Sequence, residues 1–350
     1  MKRYDLRHLK KQFAPRVVRL ADGSGKGEVS IFIFEIVSGG ELEALIEQLK
    51  RGGHIVMNSL RFNEVDWTIV VKSFVNEPRV SNPLFDAFEK YGVETKALDK
   101  DSAILSIGTH FAKDNESLVQ EISKHKRELI YMSAQEDPGL KKRAKAHIKY
   151  EVGSEAGVLA LIAKSLLDGD EIAQDVKSYL DELDEGYLSA ESNVGEEEIE
   201  EIKKMAEAPF SLLIGCDLYE HPDADLIAGL IALISRFKPL RVSVLSEHEL
   251  RAKPKTILPP QIDELKSFDG TVVYFYESDD LNPKLYGSSQ FALAAKLKNG
   301  NEVLVTTSNG TFESEFHLDK KMKGTVALLG VKKSGYRYER AKVSKRETNG

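Results

Sequence analysis

Three features of the sequence predict an α/β fold: apolar strand-like runs alternating with amphipathic stretches, a strand–glycine–helix unit that occurs twice, and a β-rich close. The first copy is "AILSIGTHFAKDNESLVQEI" from Ala103, and the second is "SLLIGCDLYEHPDADLIAGLIALI" from Ser211. Each begins with an apolar run, ends it at a glycine (Gly108 or Gly215), and continues through a polar turn at helical spacing. The predicted architecture is a small N-terminal α+β module over residues 1–75, a doubly wound parallel-sheet body over 76–260 with duplicated strand–helix units, and a β-barrel-like unit over 261–345.

In chain order, residues 28–37 (EVSIFIFEIV) are β-branched and aromatic and read as a buried strand. Ser38-Gly39-Gly40 turns the chain into a helix whose Leu42, Leu45, Ile46 and Leu49 share a face, and Gly52-Gly53 stops it. Residues 54–62 and 66–74 pair as two strands about Asn63 and Glu64. Pro and Asn punctuate 76–83 as a linker. Then come a helix at 84–91, a strand at 103–107, a helix at 116–125, a strand at 128–133 and a strongly apolar helix at 154–167. A helix ending at Met205, a strand at 210–216, a helix at 225–237 and a strand at 240–245 make the second unit. A Pro-rich crossover at 251–261 leads to a strand at 271–278. The close consists of a helix from Phe291, two alternating strands about Asn309-Gly310, and an apolar strand at 324–330.

Composition narrows the function. With 41% hydrophobic residues in 350, the chain has material for two or three cores. Its formal charge of −7 excludes nucleic-acid binding by the chain as a whole. The charge is blocked: residues 1–20 carry seven Lys or Arg against one acid, 181–201 carry ten acids and no base, and 332–346 are basic again. Solvated faces and a flexible acidic connector are the first explanation of such blocks, and docking to partner subunits is the alternative. No run approaches a membrane span, and the basic N-terminus has no signal-peptide core, so a cytoplasmic protein that meets the membrane only through partners is expected. One cysteine, Cys216, excludes an internal disulfide and an iron–sulfur cluster held by this chain alone, since such clusters take about four thiolates.

Several constellations invite a chemical reading. Residues 23–28 (GSGKGE) imitate the end of a phosphate-binding loop, but Leu20 stands where the first glycine belongs and Gly27 where Ser or Thr is needed. Arg61 and Trp67, with Phe62 beside them, could stack a flat ring such as a flavin, and Trp67 in an apolar strand serves a core equally well. Gly108, Thr109, Gly215 and Asp217 occupy turns where backbone N–H groups could meet a phosphate. Against that, Asp217, Glu220, Asp223 and Asp225 make a negative wall that would repel pyrophosphate. Asp217, Glu220, His221 and Asp223 could also ligate a metal, although Pro222 fits the first turn of a helix and the spacing matches no metal rule, so no metal site is expected. Cys216, after an apolar strand, is expected to be buried. Eight scattered histidines define no catalytic geometry, so no catalytic residue is assigned.

"NSLRFNEVDWTIVV", within residues 1–73, resembles a small subunit of an atypical bacterial respiratory complex I, in the E/F position of NADH-quinone oxidoreductase. "AILSIGTHFAKDNESLVQEI", "KAHIKYEVGSEAGVLALIAKSLL", "LLIGCDLYEHPDADLIAGLI", "VVYFYESDDLNP" and "FALAAKLKNGNEVLVTTSNG" resemble the molybdopterin-oxidoreductase-like part of the G subunit, and the last of them its dinucleotide-binding barrel. Together they cover most of residues 95–330. The cysteine-rich region of the G subunit and the glycine-rich flavin and NADH site of the F subunit have no counterpart here.

The resemblance implies an accessory subunit of the peripheral arm, without a redox centre of its own. It would pack on the iron–sulfur subunits, the G subunit above all, at the inner face of the cytoplasmic membrane. Lys2, Arg3, Arg7, Lys10 and Lys11 would suit docking of an acidic electron carrier such as flavodoxin or ferredoxin. Two alternatives stand beside it: a redox subunit holding flavin (FMN) in the first module or pterin in the body, and a stand-alone nucleotide-binding module.

Overall fold

The computed structural model describes residues 82–99, 102–114, 118, 120, 122, 128–136, 143–245, 250–278, 280–332 and 335–346, and the backbone of 16–21 and 28–33. The chain divides into two units, residues 1–81 and 82–350. In the first, β1 (Arg16–Ala21) pairs antiparallel with β2 (Glu28–Ile33), from Arg16↔Ile33 to Ala21↔Glu28. The sequence does not announce β1, because its arginines interrupt the apolar run. The glycine-rich segment at 23–28 runs into a strand rather than opening a helix, against the phosphate-loop plan. The helix expected at 41–53, the hairpin at 54–74, and Arg61 and Trp67 lie outside the described residues.

The second unit is mixed α/β. Its five-stranded parallel sheet comprises β3 (Ala103–Ile107), β4 (Leu129–Ser133), β5 (Ala146–Lys149), β6 (Phe210–Ile214) and β7 (Leu240–Val244), in the order β5-β4-β3-β6-β7. The chain starts in the middle, builds outward to β5, then returns to place β6 on the other side of β3. Strand order reverses there, and such a switch point opens a crevice at the carboxyl ends of the two strands. β3 and β6 run in register from Ala103↔Phe210 to Ile107↔Ile214, so the glycines after them, Gly108 and Gly215, sit side by side.

Alternation along the strands feeds two apolar layers. Leu105, Ile107, Ile130, Met132, Leu212 and Ile214 join the core shared with α1 (Pro83–Tyr91), α3 (Glu155–Leu167) and α7 (Ala224–Phe237). Ile104, Leu129, Tyr131 and Leu213 instead join Phe111 of α2 (Phe111–Asp114) and Ile122 in a second cluster. Helices on both faces make the sheet doubly wound. α1 has clear boundary chemistry: the Asn82 side chain accepts from Phe85 N–H at 2.9 Å, Pro83 opens the first turn, and Gly92 ends it at φ 75°.

The acidic stretch is not a connector. After α4 (Gln174–Asp181), it folds into α5 (Glu185–Ser192) and α6 (Glu196–Met205), which bury Leu188, Ile202 and Met205 against the body. The acids occupy the opposite, solvated face, as an amphipathic helix requires.

The closing unit contains β8 (Val272–Glu277), β9 (Leu285–Gly287), α8 (Ser289–Ala294), β10 (Glu302–Thr307), β11 (Gly310–Leu318), β12 (Val326–Val331), β13 (Tyr338–Arg340) and β14 (Lys342–Lys345). Its seven-stranded mixed sheet runs β13-β8-β12-β9-β11-β10-β14. The two outermost strands, β13 and β14, are separated in the chain by Ala341 alone. A single residue spans only about 7 Å between its neighbours, so the opposite edges must meet and the sheet curls into a barrel-like shape. Its interior holds Val273, Phe275, Leu285, Phe291, Val303, Val305, Phe316, Ala327 and Leu329. The hairpin turn is Ser308-Asn309, one residue earlier than Asn309-Gly310, because Gly310 already pairs with Thr307. The Ser308 and Asn309 side chains both donate to Glu339, which fixes that register.

Candidate functional site at the sheet switch point

β8 serves two cores at once. Its Val273 and Phe275 fill the barrel interior, while Val272 and Tyr274, on the opposite face, enter the core of the body. β13 pairs antiparallel with β8, Tyr338↔Tyr274, and brings Tyr336, Arg337 and Tyr338 to the same place. That place is the switch-point crevice.

The two glycine turns are closed against each other. Gly215 N–H donates to Ile107 O at 2.8 Å, Asp217 N–H to Gly108 O at 3.1 Å, and Leu218 N–H to Gly215 O at 3.2 Å. A Cβ on Gly215 would lie 1.8 Å from Gly108 O, so only glycine permits this approach. Gly108 itself sits at φ +68°, and a Cβ there would meet Leu218 Cγ at 2.9 Å. The Thr109 hydroxyl is shared with Ser106 at 2.7 Å, and Thr109 O accepts from Tyr131 Oη at 2.8 Å. Gly108, Thr109, Gly215 and Asp217 are therefore brought together, but the N–H groups of Gly215, Asp217 and Leu218 are already spent on protein carbonyls.

Over these turns lies a buried polar cluster. Tyr274 Oη donates to Asp217 Oδ1 at 2.8 Å and accepts from Arg337 Nη1 at 2.7 Å, so a phenol is inserted into an ion pair whose charged atoms are 3.8 Å apart. All three residues are buried. Tyr338 packs on Tyr274 with ring centroids 4.8 Å apart, and His110 approaches Tyr274 from the body side at 5.6 Å.

A second buried carboxylate lies nearby. Glu155, in the first turn of α3, is fully buried beside His221, with Oε2 to Nε2 at 3.1 Å. His221 Nδ1 accepts the N–H of Asp223 at 2.9 Å, which makes Nε2 the protonated nitrogen that donates to Glu155. Tyr336 lies edge-on to His221 at 4.8 Å, its hydroxyl 3.4 Å from Glu155 Oε2. The Tyr150 hydroxyl is buried with no hydrogen-bond partner among the described residues. Burial pushes the Tyr150, Tyr336 and Tyr338 phenols well above the usual tyrosine range, and the negative charge of Glu155 and Asp217 pushes them the same way.

The expected negative wall is dispersed. Asp217 is neutralised by Arg337 from the barrel, and Asp225 faces Lys90 of α1 at 2.6 Å. Asp223 lies 3.9 Å from the His221 ring, leaving Glu220 exposed. The helical repeat of α7 and the short 3₁₀ turn at Cys216–Leu218 send these acids to different neighbours. The same turn leaves Cys216 half-exposed rather than buried, since it falls outside the sheet's alternation. Both ring nitrogens of His221 are used by protein groups, and among the described residues no group of three or more His, Cys, Asp or Glu is placed to hold a metal ion.

A family model described as "putative NADH-ubiquinone oxidoreductase", of the E-chain type, matches residues 1–73. The match falls on the segment that resembles a complex I subunit in its residues, and it stops short of the body. No curated protein matches the sequence. Among solved structures, acetylene hydratase from Pelobacter acetylenicus is similar at 11% identity and a TM-score of 0.38, over 48% of this chain and 24% of that one. The chain spans about a quarter of the length of that structure.

At the switch point the Gly215, Asp217 and Leu218 N–H groups are engaged by protein carbonyls, the two glycine turns touch, and Tyr274 and Arg337 cluster on Asp217 beside them. The glycine turns are legible in the sequence, whereas Tyr150, Glu155, Tyr274, Arg337 and Tyr338 are not. The one available signal is the period-two alternation in "YRYER", which places Tyr336 and Tyr338 on one face of a strand.

Proposed function

We propose that the chain is an accessory, non-catalytic subunit of a respiratory NADH-quinone oxidoreductase, packed on iron–sulfur partner subunits in its peripheral arm. The observation that carries this reading is the closed switch point: the two glycine turns bond to each other, and the chain's own Tyr274, Arg337 and Tyr338 cluster on Asp217 beside them. The similarity of residues 1–73 to the E-chain family supports the choice of assembly. In this reading the body and barrel act physically, excluding water beside the redox centres of neighbours and offering docking faces. The solitary Cys216 fits a subunit that carries no cluster of its own. Among the described residues no helix is long and apolar enough to cross a membrane, which suits attachment through partners.

The test is purification of the chain from gently solubilised native membranes, with identification of the polypeptides that travel with it. Co-purification with iron–sulfur subunits of the oxidoreductase is the expected result. Recovery of the chain alone, or a stoichiometric flavin or pterin chromophore in the isolated chain, would sink the reading.

A further inference from the structure

Residues 250–261 cross the helical layer as a strap without helix or strand. Its backbone is pinned at successive points. Gly92, at φ +75°, backs onto the Lys253 carbonyl, where a Cβ would meet that oxygen at 2.1 Å. Lys255 Nζ donates to Glu89 O at 2.9 Å, and Arg236 donates to Lys255 O. Pro259 packs on Gly229, and Tyr179 Oη donates to Pro260 O at 3.1 Å. A surface held in this way loses little conformational entropy when a partner binds.

The side chains left on it have a distinct character. Residues 251–261 contain Arg251, Lys253 and Lys255 and no acid, in a chain of net charge −7. All three cations are exposed, and among the described residues none of them makes an ion pair, whereas neighbouring Lys90 and Lys238 pair with Asp225 and Asp170. Ile257, between the cations and the prolines, is 41% exposed and is one of three large apolar side chains so placed among the described residues. An apolar anchor beside unpaired cations on a rigid backbone has the anatomy of a protein interface.

We propose that this strap is a docking face for an acidic surface of a partner protein, with Ile257 seated in an apolar depression and Arg251 and Lys253 meeting carboxylates around it. The proposal rests on the reading of the chain as a subunit.

The test combines acetylation footprinting with zero-length carbodiimide coupling, applied to the isolated chain and to the native assembly. Lys253 should label about tenfold less in the assembly, and it should couple to an Asp or Glu of another polypeptide. The variants R251E/K253E and I257D should melt like the wild type, yet join the assembly with affinity lowered on the order of tenfold at low salt. Equal labelling in the assembly, or coupling of Lys253 only to a second copy of this chain, overturns the docking proposal and leaves the subunit reading standing. A chain that never co-purifies with partners overturns both.

Discussion

Two buried carboxylates lie close together at the carboxyl end of the parallel sheet, and their partners differ in kind. Asp217 faces a guanidinium brought from the barrel, with Tyr274 bridging the two. Glu155 faces an imidazole from its own body, and that imidazole is oriented by a backbone N–H two residues further on. Arginine stays charged at any accessible pH, so the Asp217 pair is a permanent electrostatic tie between two parts of the fold. The Glu155 pair is a hydrogen bond from a neutral donor and needs nothing from the barrel except the edge of Tyr336. Similar burial thus fastens the body to the barrel in one case and two parts of the body to each other in the other.

The largest effect is expected on breaking the first pair. Asp217→Ala strands a buried guanidinium and should cost about 3–5 kcal/mol in urea unfolding. The double variant D217L/R337M should be more stable than either single change, because the charge no longer needs a partner. Gly215→Ala comes next, at about 1–3 kcal/mol or more, since the added methyl meets the carbonyl of Gly108, which cannot rotate away. Glu155→Gln should cost about 1–2 kcal/mol, because a Gln oxygen can still accept from His221 Nε2.

Alkaline titration sharpens the comparison further. The Tyr150 and Tyr338 phenols lie well above their unfolded value near 10, so the stability they contribute is intact below about pH 10. It is lost as pH rises from there toward the folded values, because only the unfolded chain ionises easily. Unfolding midpoints measured from pH 9 to 11 should fall, and fall later in a Y338F variant. The smallest effect belongs to Tyr150→Phe. Its hydroxyl has no partner among the described residues, so the change should stay within about 0.5 kcal/mol by the same urea assay.

The parts of this fold legible in the sequence are those written in local periodicity. Apolar runs ending at Gly108 and Gly215 announce two equivalent turns, and these stand side by side in register. Of the two helices over the ten acids of 181–201, the one ending at Met205 is legible in the sequence, whereas the one at Glu185–Ser192 is concealed because charge dominates the pattern. The cluster over the turns is illegible for a different reason. Tyr274 meets Asp217 across 57 residues and Tyr336 meets Glu155 across 181, so no window of sequence contains both members of either pair. Glu155 also looks like an ordinary acid in the first turn of a helix, the commonest place for one. Nothing in its neighbours announces that it is buried beside a histidine.

The stitch at Ala341 has a consequence for biosynthesis. Every strand of the parallel sheet is complete by Val244, whereas the barrel cannot close until Lys345 has left the ribosome. During that interval Asp217 stands without its guanidinium and the crevice beside Gly108 and Gly215 is open to water. The last strands to be made therefore supply the guanidinium that Asp217 pairs with and the ring that packs on Tyr274.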